Sequence, residues 1–278
     1  DMDVVRNTLV GGTLGKHDII SFNGTLAGAQ PPSVSVGLVD ILQTPPGEYL
    51  PLSLFSGSLV VAAIDESITN FNVPSFVYGG ETYTRIGIVS NGYLVVGGGT
   101  AADVQYLNSN LPNASAPNNV LAPFWTDLNP AFGGTIRINV LGTTTQAWIV
   151  VDFNGVANYS DRQPNDFEVW IGINGVEDVS FVYGRTSNGE GGAYTVGAEN
   201  RFGNSGGTIF FNGAGTPPST FAATQGVDVT SAAGLAGPVK TVTFKMKAEK
   251  KGKWQNCAEI TSNLFQGIGI SCVNGEVK

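Results

Sequence analysis

The sequence predicts an all-β fold, and three observations predict it. Short runs alternate apolar and polar residues with period two. Turn residues interrupt them at close spacing, in a chain with 38 Gly and 14 Pro among 278 residues. No segment keeps a 3.6-residue apolar period over three turns.

The elements follow in order. Ile19 to Leu26 alternates, and Val34 to Leu42 follows the Pro31-Pro32 break. Leu59 to Ile64 is an apolar run of strand size. Tyr83 to Ser90 runs into Asn91-Gly92, the strongest short hairpin signal in the chain, and Tyr93 to Val96 returns. Ala101 to Asn108 is the sole helical candidate, one or two turns at most. Asn118 to Trp125 reads as irregular. Thr135 to Val140, Ala147 to Phe153, Phe167 to Ile173, Val179 to Tyr183, Tyr194 to Glu199, Thr208 to Phe211 and Val239 to Ala248 complete the strands. Asn174-Gly175, Asn188-Gly189 and Asn212-Gly213 supply turns between or after them.

Strands at such spacing make sandwiches or barrels. Residues 58–219 are expected to form a large antiparallel sandwich of jelly-roll type. The flanks 1–57 and 220–278 are each too short to close a seven-strand sandwich. They are expected to pair with each other as a smaller sandwich of immunoglobulin or fibronectin-III type, with the large one inserted.

Charge excludes several classes. The net charge is −8, and no lysine lies between Lys16 and Lys240. A nucleic-acid binder needs a basic face to displace phosphate counterions, and this acidic bulk offers none. The basic stretch Lys240 to Lys253 alternates with apolar residues and reads as one face of a strand. No apolar run approaches the roughly 18 residues of a membrane span. The residues from Asp1 onward do not read as a leader, and a processed product is one expectation for such a start. Few lysines, two Met and many Gly and Asn point to a secreted or cell-surface protein. There Cys257 and Cys272 are expected to form a disulfide, closing a loop worth roughly 3 kcal/mol; two buried thiols are the alternative.

The search for reaction chemistry finds little. His17 is the only histidine, flanked by turn residues, so a serine nucleophile has no evident histidine base. Gly97-Gly98-Gly99-Thr100 lacks the lysine of a phosphate cradle. One His and two distal Cys cannot supply a zinc site. The carboxylates Asp127, Asp152, Asp166 and Glu168 are the candidates for acid–base work. Asp166 and Glu168 share a strand face, and a solvent-facing edge is the simpler reading of that pair. The stretch around Asp161, Asn165 and Asp166 offers oxygen ligands for a structural Ca²⁺, although its spacing does not match an EF-hand loop. No other cofactor is expected, and no catalytic residue is assigned. Trp148 and Trp170 read as core. Trp125, with Asp127 two positions on, is the candidate binding residue near a rim, with a packed corner as the alternative.

Several blocks carry a resemblance. They are Tyr78-Gly79-Gly80-Glu81-Thr82-Tyr83, Ile88 to Gly97, Leu111-Pro112-Asn113, Pro117 to Pro130 (through Phe124-Trp125-Thr126-Asp127), Phe167 to Gly172 and Thr195 to Asn200. Together they resemble the non-catalytic β-rich module C-terminal to the catalytic domain of large secreted bacterial subtilisin-like (S8) serine proteases. Their order is also similar to that of nidogen-like extracellular modules. The likeness covers residues 60–205, with a weaker one at 17–58. The protease nucleophile motif Gly-Thr-Ser-Met-Ala-x-Pro is absent. The resemblance therefore implies an accessory module for substrate or matrix binding, for surface attachment, or for folding of a protease. Its partner would be a protein or polysaccharide of the matrix or cell surface. The alternative is a self-standing adhesion or filament subunit that associates through β-strand edges.

Overall fold

The computed structural model describes residues 2–10, 19–29, 31–40, 47–142, 146–173, 178–222, 225–234, 236–247, 252–262 and 265–277. In chain order the strands are β1 (Met2–Val10), β2 (Ile19–Ala29), β3 (Ser33–Asp40), β4 (Leu59–Val60), β5 (Ile68–Tyr78), β6 (Glu81–Val89) and β7 (Tyr93–Val96). There follow β8 (Val120–Trp125), β9 (Thr135–Gly142), β10 (Ala147–Ala157), β11 (Pro164–Ile173), β12 (Val179–Tyr183) and β13 (Thr195–Glu199). The last are β14 (Gly206–Phe211), β15 (Ala214–Gly215), β16 (Gln225–Ala232), β17 (Ala236–Lys247), β18 (Gly252–Ser262) and β19 (Phe265–Val277). Among the described residues the helical elements are short 3-10 turns, one of them Ala101–Asp103 where the sequence suggested a helix.

The chain divides into two compact units. One combines Asp1–Gln30 with Leu235–Lys278, and the other is Pro31–Gly234. In the first, β1 pairs with β18 and β18 with β19, while β17 pairs with β2, all antiparallel. The second holds two antiparallel seven-stranded sheets, ordered β3-β16-β12-β11-β10-β9-β4 and β15-β14-β13-β8-β7-β6-β5. Its limits lie outside 58–219, because β3 and β16 pair over eight positions from Ser33↔Ala232 to Asp40↔Gln225 and so extend the first of these sheets.

The two sheets close on one apolar layer. Ile86, Ile88, Leu94, Leu121, Phe124 and Val196 from one meet Ile149, Val151, Phe153, Phe167, Val169 and Phe181 from the other. Phe153 stacks on Phe167 at 4.6 Å, and Tyr194 on Phe210 at 4.2 Å. Fully burying one such side chain contributes roughly 1.5–3 kcal/mol, so this layer dominates the unit's stability.

Both outer faces are also covered. Val89, Tyr93, Val95, Val120, Ala122 and Trp125 form a second apolar cluster with Leu111. Trp148, Val150, Trp170 and Val182 form a third with Leu52. Strands buried on both sides need no alternation, so β8 is buried at all six positions. This corrects the irregular reading of Asn118 to Trp125. The edge strand β5 is blunted differently, by a register shift between Asn72 and Phe76 that spans Pro74.

Candidate functional site

The hairpin signal seats the site. Asn91-Gly92 turns β6 into β7, and the turn is buried against the end of β8. Gly92 has φ +80°, and Phe124 N–H donates to its carbonyl. Asn91 is fully buried; its carbonyl accepts from Thr126 N–H, and its Oδ1 accepts from Leu128 N–H at 3.1 Å. Its Nδ2 donates to Glu66 Oε2 at 3.1 Å. One side chain therefore ties the β8 exit to the turn before β5.

That arrangement brings Asp127 beside Asp65 and Glu66. One oxygen from each lies within 4.8 Å of the others, the one such carboxylate group among the described residues. Asp127 Oδ1 and Asp65 Oδ1 are occluded from solvent and accept no hydrogen bond. Burial pushes the Asp127 carboxyl up to about 6, and the charges of Asp65 and Glu190 add to that. Burial also raises Glu66, with Asn91 working against it and Asp127 and Asp65 with it. Three carboxylates crowded on one side of a turn repel one another, and a divalent cation with oxygen ligands would relieve that.

Trp125 is not a rim residue. It is 1 % exposed, its ring centre lies 4.6 Å from that of Tyr93, and its indole N–H donates to the Gln105 carbonyl at 2.9 Å. It is a packed corner under the segment that follows β7, with no face left for a ligand. The sequence pairing of Trp125 with Asp127 therefore splits, and Asp127 belongs with two residues of the β4–β5 connection instead.

The calcium candidates further along are committed to protein donors. Asp161 Oδ1 accepts from Asn158 Nδ2 and from Gln163 N–H, both at 2.9 Å. Asn165 is fully buried; its amide donates to Val156 O and Asn158 Oδ1, and its Oδ1 accepts from Ser187 N–H. Asp166 accepts from Gly155 N–H at 2.6 Å and pairs with Arg185 at 3.1 Å. These contacts hold the bulge between Phe153 and Val156, where β10 carries one extra residue opposite β11. As a group, Asp161, Asn165 and Asp166 brace that bulge.

Glu168 is not solvent-facing. It is fully buried on the outer face of its sheet, and its partner across the ladder is Asp152, also fully buried. Asp166 lies along the same strand rather than opposite, so the acid pair that the register creates is Asp152 with Glu168. Composition gave no sign of this, because Asp152 lies 16 positions from Glu168 in sequence and only the register joins them.

Cys257 and Cys272 occupy directly opposite positions of β18 and β19. His17 lies outside the described residues. No helix among the described residues is long and apolar enough to cross a membrane.

The model of the family described as NIDO related matches residues 42–245. The chain belongs to the NIDO-related family. The matched span takes in β4 to β16, every strand of the two seven-stranded sheets except β3, and runs into β17. The match supports the nidogen-like side of the resemblance and gives no link to subtilisin-like proteases. No curated protein and no solved structure matches the chain.

Proposed function

We propose that this NIDO-related protein is a non-catalytic extracellular module that binds a protein or polysaccharide of the matrix or cell surface. The family match over residues 42–245 carries the reading. The lysine-poor composition and the lone histidine, His17, agree with it. The test is titration of labelled protein onto immobilised matrix proteins and cell-surface polysaccharides. Saturable binding to one class is expected. No saturation on either panel at about 100 µM, beyond the usual range of specific recognition, overturns the reading.

Within this reading, the module serves as the accessory part of a secreted subtilisin-like protease. The blocks from Tyr78 to Asn200 motivate that assignment. The expected finding is a subtilisin-like catalytic domain encoded upstream of Asp1 in the same reading frame. An upstream frame without one removes the protease and leaves the binding module.

One observation favours the alternative, a self-associating surface subunit. β4 spans two residues, and with Val61 N–H on the Ile136 carbonyl the coverage of β9 runs from Ile136 to Ile138. Among the described residues no strand pairs with that edge from Asn139 to Gly142, where Val140 N–H is held by Asn139 Oδ1. Leu59, Val60 and Val140 are exposed there. Such an edge accepts an added strand. Light scattering that rises with concentration and is abolished by Val140→Lys supports the alternative; a monomer at every concentration removes it.

A further inference from the structure

The outer face of the sheet β3-β16-β12-β11-β10-β9-β4 carries one unusual row. By register it runs Arg137, Asp152, Glu168, Val182 across four neighbouring strands. Two acids sit side by side in it with no exposure to solvent. The segment 47–58 lies over them.

That segment is lightly fastened. It is not a strand, and its one short turn is Leu52–Leu54. Of its side chains only Leu52 is fully buried, against Trp148, Val150, Trp170 and Val182. Its polar attachments reach both acids and one further residue: the Leu50 amide bonds Glu168, Ser58 Oγ accepts from Asn139 Nδ2 at 3.0 Å, and two bonds hold Asp152. Leu52 N–H donates to Oδ2 at 2.8 Å, and Tyr49 OH donates to Oδ1 at 3.0 Å while accepting from Asn154 Nδ2 at 2.7 Å. Gly47 and Gly57 bound the segment at φ +85° and +84°, and an added Cβ at either would meet nothing within 4 Å.

Glu168 makes the closed arrangement conditional. Its Oε2 accepts from Trp170 Nε1 at 2.9 Å, but its Oε1 is buried without a partner. A charged carboxylate there is enclosed by apolar groups and faces Asp152. The surrounding charges do not neutralise it. Arg137 on β9 stands opposite Asp152, one strand further away. Asp166 on β11 is paired with Arg185. From β12 the neighbour is Val182, which is uncharged, and from the covering segment the nearest titratable group is the neutral Tyr49.

We propose that residues 47–58 form a strap that stays closed while the Asp152–Glu168 pair holds a proton and lifts from the sheet when the pair loses it. Opening uncovers Trp148, Val150, Trp170 and Val182. Burial raises Glu168 to about 8; Trp170 opposes the rise, Asp152 adds to it, and the Leu50 amide opposes it. Burial raises Asp152 to about 6 against the opposing bonds from Leu52 and Tyr49. These values belong to the pair as a unit. The strap is thus closed in mild acid, and the open form gains as pH climbs from the ordinary carboxylate value near 4.5 to about 8. The device does not depend on which ligand the module binds.

Hydrogen exchange resolved by mass spectrometry on the whole chain tests this, with rates corrected for the intrinsic pH dependence. Between the ordinary value near 4.5 and the raised value near 8, each pH unit favours the open form about tenfold, with no further gain above 8. Protection of the Leu52 amide should therefore fall tenfold or more between pH 6 and pH 9 while β10 and β11 stay protected. Glu168→Gln should keep the strap protected at pH 9. Equal protection of Leu52 at both pH values overturns the proposal. So does a loss shared with β10 and β11, or a loss of equal size in folded Glu168→Gln. If that variant does not fold, the wild-type profile alone decides between these outcomes.

Discussion

Gly92 lies so close to Phe124 that a Cβ on it would come within 2.0 Å of the Phe124 carbonyl oxygen. This approach docks the β6–β7 turn onto β8 and delivers Asp127 to the turn at Asp65 and Glu66. The obstacle is backbone, which cannot rotate away as a side chain would, and φ +80° is unfavourable for any residue with a Cβ. Gly92→Ala should cost about 3 kcal/mol, lowering the melting temperature of the larger unit by roughly 6–12 °C. Calorimetry checks this; a shift under about 2 °C would mean that the turn does not hold β8 in place.

Calcium, if it binds the described residues, has its oxygens at Asp65, Glu66 and Asp127. A ligand that binds only the folded chain stabilises it in proportion to the logarithm of its concentration. Millimolar Ca²⁺ should raise the melting temperature, and Asp127→Asn should abolish the rise. Asp161→Asn should leave it intact, because that carboxylate already accepts from Asn158 and Gln163. An unchanged wild-type melt from zero to about 10 mM Ca²⁺, well above the weakest extracellular sites, sinks the assignment.

Glu199 gives the fold a pH dependence of its own. It is fully buried; Oε2 accepts from Asn113 N–H at 2.7 Å, and Oε1 has no partner. Burial raises its carboxyl to about 7, with the Asn113 bond opposing. Since the folded value lies above the unfolded one near 4.5, the folded state holds a proton the unfolded state has lost. Stability from this group is complete below about 4.5 and declines as pH climbs to 7, by a few kcal/mol at most. Melting curves of wild type and Glu199→Gln from pH 4.5 to 7 should converge at the acid end and separate toward 7, with the variant the more stable there. Parallel curves would remove Glu199 as the cause.

How much of this the sequence disclosed depends on what covers each strand. Tyr83 to Ser90, the Asn91-Gly92 turn and Tyr93 to Val96 are legible because a tight hairpin is a local event, written in adjacent residues. Phe167 to Ile173 is legible as a strand too. The strand β8, Val120 to Trp125, was not, because burial on both faces erases alternation and Pro123 argues against a central strand. The same second layer turned Trp125 from a rim residue into a core one. Alternation put Asp166 and Glu168 on one face, but nothing local announces that Leu52 and Tyr49 cover that face, or that Asp152 stands opposite Glu168. Asp127 stands out in its block, while its neighbours Asp65 and Glu66 come from the start of the sheet and meet it only through the β6–β7 turn.

The cysteines give the last prediction. Opposite positions on neighbouring antiparallel strands have Cα atoms about 4.5 or 5.5 Å apart, depending on whether the pair is hydrogen-bonded, and disulfides span roughly 4.4–6.8 Å. Cys257 and Cys272 hold such positions on β18 and β19. In an oxidising compartment they should therefore pair with each other. Protein secreted into an oxidising medium should show no alkylatable thiol until reduced, and digestion should release one peptide pair linking the two residues. Reduction, or the double change Cys257→Ser with Cys272→Ser, should cost the smaller unit roughly 3 kcal/mol and leave the melt of 31–234 unchanged. Two thiols that alkylate readily in the native secreted protein would overturn the pairing and take with it one argument for an extracellular location.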